Sequence, residues 1–176
     1  METQTASVKK IALNYGLLLA LLSIVLSVFA YVTDNHIDRP WWLSVISMLV
    51  MIAIIVYGLK AFKNENGEFL SVGEAIKVGL AISLISGIIV AIYNYVFVTV
   101  IEPEYVTQLL QFTEEEMIAD NPEMTESQLN MTMDMTEKFM SPMMMTAFAI
   151  IGTLFFGFII SLISGLILKQ KRPEHQ

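Results

Sequence analysis

Four long apolar runs, divided by short polar segments and one long acidic stretch, set the pattern of the chain. Ile11–Val32 runs for 22 residues and Val78–Ile101 for 24 without Asp, Glu, Lys, Arg or His. A bilayer core of ~30 Å takes ~20 helical residues at ~1.5 Å rise, so either run can cross it. The second run, Trp41–Leu59, opens after Arg39-Pro40, a pair that ends one helix and can start another. Trp41 and Trp42 suit the headgroup region, and Lys60 and Lys63 close the run with stems long enough to snorkel. The third span is delimited by Ser71-Val72-Gly73-Glu74, a capping box, and by Glu102-Pro103. The fourth, Met143–Leu168, follows Ser141-Pro142 and precedes Lys169, Lys171 and Arg172. The predicted spans are residues 11–32, 41–59, 72–101 and 143–168, in a single domain of residues 1–176. The first run is longer than the ~7–15 apolar residues of a secretory signal, so it reads as a retained span.

Residues 102–142 form the one sizeable stretch outside these runs, with ten acidic residues and a single lysine, Lys138. Thr113 with Glu116 and Thr125 with Gln128 each fit a capping box, and Asn121-Pro122 separates them, which predicts two short helices. In the second, Met131, Met135 and Phe139 recur every fourth position as an apolar stripe that would rest on the membrane surface.

Small residues carry a second pattern. Gly79, Ser83, Gly87 and Ala91 line one face of the third span, and Gly157, Ser161 and Gly165 line one face of the fourth. Residues 79–87 (GLAISLISG) and 157–165 (GFIISLISG) agree at seven of nine positions. Such faces let two helices approach closely. Antiparallel pairing would set Gly79 beside Gly165, Gly87 beside Gly157, and Ser83 against Ser161.

Composition agrees with a membrane fold: 55% of residues are hydrophobic and 15% charged, where a soluble domain carries about a quarter charged. The absence of cysteine excludes disulfides, thiolate metal sites and cysteine nucleophiles. No basic tract points to nucleic acid. Eight Lys and Arg (Lys9, Lys10, Lys60, Lys63, Lys77, Lys169, Lys171, Arg172) flank one side of the spans and two (Arg39, Lys138) the other. The positive-inside rule then predicts cytoplasmic termini and an external acidic loop. The class is all-α, a polytopic four-span membrane protein.

Lys10 to Gly16 at the first span, FLSVGEAIKVG (Phe69 to Gly79) and IYNYVF followed by IEPEY (Ile92 to Tyr105) are similar to an uncharacterised bacterial family of four-span membrane proteins, a domain of unknown function. The resemblance runs from about Lys10 to Lys169 and implies four spans in a bacterial inner membrane. It brings no activity, substrate or catalytic residue.

Candidate chemistry is sparse. Asn14 and Asn94, the most polar residues within the spans, suit interhelical hydrogen bonds. With Glu74 and Lys77 they are the candidate polar site, although Glu74 and Lys77 equally fit a helix-start carboxylate and a snorkelling lysine. A proton relay lacks the usual ionisable residue deep in a span. Nine of the twelve methionines lie between Met117 and Met145, and thioethers suit Cu(I). Met131 and Met135 share a helical face from which Met133 points away, and no metal ligand, cofactor or catalytic residue is assigned. The expected partners are the lipid bilayer and either a second copy or another membrane protein. The expected function is a non-enzymatic membrane subunit or scaffold. An oligomeric channel or carrier, lined by Asn14, Asn94, Tyr57, Tyr93 and Tyr95, is the alternative, and an external copper sensor the second alternative.

Overall fold

A computed structural model describes residues 6–170 as six helices. Lys171 and Arg172 of the charge count lie outside the described residues. The long helices are α1 (Val8–Val32), α2 (Trp41–Glu65), α3 (Val72–Val96) and α6 (Pro142–Leu168). Between α3 and α6 run α4 (Tyr105–Asp120) and α5 (Glu126–Phe139). Each long helix has 25 residues or more, about 37 Å at ~1.5 Å per residue, which exceeds the ~30 Å bilayer core.

Their outward faces are apolar. Leu17, Leu21 and Val25 of α1, Leu49 of α2 and Phe155 and Ile167 of α6 are all more than half exposed. A water-soluble bundle would turn such side chains inward, and four helices carrying them outward make a multi-pass membrane protein.

Local chemistry explains most helix ends. Ser71 Oγ accepts from Glu74 N, and Glu74 Oε2 accepts from Ser71 N at 2.8 Å, closing the capping box of α3. Thr125 and Gln128 do the same for α5, and Pro142 occupies the first turn of α6. The pair Thr113 and Glu116 does not start a helix. Thr113 lies inside α4, and its hydroxyl donates to Leu109 O at 2.7 Å. The turn after Pro103 had already begun the helix at Tyr105, so the hydroxyl meets a carbonyl one turn back. α2 also runs six residues beyond Leu59, to Glu65. There Lys10 Nζ pairs with Glu65 at 3.2 Å, and Lys63 Nζ donates to Leu168 O at the C-terminus of α6. Leu70 and Gln170 exchange two backbone hydrogen bonds, tying the α2–α3 turn to the end of α6.

α3 is the central helix, packed most extensively on α6 and next on α1. The dense core gathers at the end of the bundle nearest the chain termini. Ile11, Ile55, Leu59, Phe62, Leu70, Ala75, Val78 and Ile82 are buried there, six of them fully. The opposite half, under the acidic arm, holds two cavities with Ser and Thr residues in their walls.

Candidate functional site

The α3–α6 seam is built from glycine and serine. Gly79, Ser83, Gly87 and Ala91 of α3 and Gly157, Ser161 and Gly165 of α6 are all buried. A methyl group on Gly79 would collide with Ser161 Cβ, and one on Gly157 would collide with Ser83 Oγ. A methyl on Gly165 would stand 2.7 Å from Ala75 Cβ, and one on Gly87 would stand 3.5 Å from Thr153 Cβ. Each serine therefore fills the notch left by a glycine opposite. This register is one helical turn from the expected glycine-on-glycine pairing, so Ser83 and Ser161 do not meet. Ser161 Oγ donates to Gly157 O at 2.6 Å, while the fully buried Ser83 Oγ has no partner. Volume complementarity explains the shift. Serine against glycine leaves neither a void nor a clash.

The same device joins α1 to α3. Ala12, Gly16 and Ala20 are buried at four-residue spacing, and a methyl on Gly16 would stand 2.9 Å from Ile85 Cβ.

The candidate polar residues do not converge. Asn14 is exposed on the outward face of α1, so the interhelical bond expected of it is not made. Glu74 belongs to the cap of α3 and accepts from Asn66 Nδ2 at 3.3 Å, while Lys77 is exposed at the same end. Tyr57 and Tyr95 are more than half exposed and line nothing with Asn94. The methionine stripe is also outward: Met131, Met135 and Phe139 are each more than half exposed, while Met133 is half-buried. Phe139 packs at a tilt against Phe148 of α6, with ring centroids 6.0 Å apart.

Asn94 instead lines a cavity of about 160 Å³ at the acidic end of the bundle. Its walls come from the end of α1 (Ser27, Ala30), the α1–α2 turn (His36, Arg39), the end of α3 (Phe97, Val98), Tyr105 and the first turn of α6 (Met145, Thr146). Around it Tyr31, His36, Phe97 and Tyr105 form a ring cluster. Tyr31 meets His36 edge-on at 5.1 Å and Phe97 at 5.2 Å, and His36 stacks on Tyr105 at 6.1 Å. α3 widens here into a π-helical turn, Phe97–Ile101, closed by Glu102 N donating to Phe97 O at 2.8 Å. Such turns recur at functional sites. The Glu102 carboxylate accepts from Tyr31 OH at 2.9 Å and from Gln108 Nε2 at 3.1 Å, linking α1 to α4. Arg39 donates to Ser47 Oγ at 3.1 Å. Burial pushes the Tyr105 phenol above its ordinary value, against the lowering pull of Arg39.

Residues 14–170 match the model of a family described as a protein of unknown function, DUF4199. The chain belongs to this family. The DUF4199 match takes in the α3–α6 seam, the ring cluster, the cavity and the whole α4–α5 arm. No curated protein and no solved structure matches the chain. Among the described residues of this DUF4199 chain, no three His, Asp or Glu side chains gather as a metal site, and the acidic run Glu114–Glu116 lies along an exposed face of α4.

Proposed function

We propose that the protein is a non-enzymatic subunit of a bacterial inner-membrane assembly. The bundle is its anchor and the α4–α5 arm its contact with another membrane protein. The observation that carries this reading is the stripe Met131, Met135 and Phe139, each more than half exposed although Phe139 also meets Phe148, on an arm with no buried residue of its own. An exposed apolar stripe at helical spacing fits a groove on a partner. The arm's charge chooses between partners. With ten acidic residues and one lysine between Glu102 and Pro142, the arm is repelled by anionic lipid and attracted to a protein with basic groups around an apolar groove. The dense core at the terminal end supports a subunit over a channel or carrier, because it leaves a single copy no wet path through that half. A benzoylphenylalanine photocrosslinker replacing Phe139 is expected to give one discrete protein adduct in native membranes, and the same group replacing Glu115 none. Lipid adducts alone at position 139 would refute the reading.

The reading places both termini in the cytoplasm and the arm outside. Because the chain has no cysteine, one engineered thiol reports its side without background. Glu115→Cys is expected to react with an impermeant maleimide in intact cells, and Glu65→Cys only after permeabilisation. The reverse pattern would invert the topology.

A further inference from the structure

The cavity beneath the ring cluster is separate from the arm's stripe, and its lining has a definite chemical character. Arg39 is the one charged residue on its wall, and no carboxylate lines it. Among the described residues the ion pair formed is Lys10 with Glu65; Arg39, which is exposed and lines both this cavity and the neighbouring one around Ser47, donates to Ser47 Oγ. A guanidinium offers five N–H donors in a fork that matches a carboxylate, so most of its capacity is unspent. His36 Nδ1 is buried without a hydrogen-bond partner. A buried polar atom left unpaired is costly unless something else satisfies it. Asn94 adds an amide from α3. Beside these groups, Phe97, Val98 and Met145 add apolar surface to the lining. The volume is close to that of a cavity of ~150 Å³ that takes benzene.

We propose that this cavity is a binding site for a small organic monocarboxylate with a ring-sized apolar body, its carboxylate held by Arg39, His36 and Asn94 and its body against Phe97 and Met145. A cation is repelled by Arg39. A neutral ligand leaves the guanidinium without a counter-charge. A phosphate dianion meets only one fixed positive charge, beneath a stretch, Glu102 to Pro142, that carries ten acidic residues. A monocarboxylate satisfies the donors and fills the apolar side.

The test uses the full chain in nanodiscs of zwitterionic lipid, titrated with benzoate, benzamide and inorganic phosphate by calorimetry. Benzoate is expected to bind saturably at one site per chain, with benzamide weaker by about tenfold or more, since it has the same shape without the charge. Phosphate is expected not to compete. Arg39→Gln and Asn94→Leu are each expected to weaken benzoate by about tenfold or more, and Arg39→Gln to erase the preference over benzamide. Asn94→Leu exchanges an amide for an apolar side chain that a membrane helix tolerates, so the assignment does not rest on one variant's folding. Equal binding of benzoate and benzamide would overturn the proposal. So would competition by phosphate, undiminished binding in both variants, or no saturation by ~10 mM.

Discussion

Gly157→Leu is expected to prevent native assembly of the bundle, whereas Gly152→Leu, the same change five residues earlier on the same helix, leaves it intact. A side chain at position 157 has nowhere to go. Its Cβ would collide with Ser83 Oγ and stand 2.7 Å from Ser83 Cβ, with Gly79 O at 3.7 Å behind them. A Cβ at position 152 meets nothing within 4 Å. Even Gly157→Ala is expected to cost about 1–3 kcal/mol, the range for forcing an extra methyl into a packed interface. Gly152→Ala is expected to be neutral, or stabilising by up to ~1 kcal/mol through helix propensity. Helices in a bilayer have no hydrophobic drive toward each other and depend on close packing, so the seam has little to offset the clash. Thermal or steric-trapping unfolding in bicelles measures both pairs. Equal loss at the two positions would mean that the seam is not where α3 and α6 hold together.

What the sequence makes legible here is whatever is local in the chain. The capping boxes at Ser71 and Thr125 are four-residue devices, and both form as their spacing predicts. Thr113 and Glu116 have the same spacing, but a local pattern does not report whether the residues before it are already helical, and here they are. The end of α2 is illegible for a related reason. Hydropathy marks where the apolar run stops at Leu59, while the helix continues into the polar region because Lys63 and Glu65 find partners on α6 and α1.

The cavity is the least legible part. Tyr31 and Glu102 meet across 71 positions, and nothing in their spacing announces it. Arg39 reads in the chain as one charge in a topology count, and its place on the cavity wall comes from folding the α1–α2 turn over the ends of α3 and α6. His36 and Tyr105 are equally isolated in the sequence, yet they stack. Asn94 is the one cavity residue whose polarity inside an apolar run stands out beforehand.

The register of the seam is the sharpest remaining test, because the sequence permits two answers. Both stripes repeat every fourth residue, so sliding α6 by one turn, about 6 Å, again sets small residues against small residues. The structure pairs Gly79 with Ser161 and Ser83 with Gly157. The alternative pairs glycine with glycine and serine with serine. In the observed register a Cβ at position 87 stands 3.5 Å from Thr153 Cβ, within the ~3.5–4.5 Å span of a disulfide. Ser83 faces Gly157, and Ser161 lies a further turn along α6, so the two serines are about 6 Å apart along the axis. In a chain without cysteine, Gly87→Cys with Thr153→Cys is therefore expected to form an intramolecular disulfide on mild oxidation, in high yield and without loss of the bundle. Ser83→Cys with Ser161→Cys is expected to stay largely reduced, although both replacements are close to isosteric. The glycine-on-glycine register predicts the opposite result for each pair. Gel mobility before and after reduction reads the outcome, and efficient crosslinking of the serine pair with none at positions 87 and 153 would return the seam to that register.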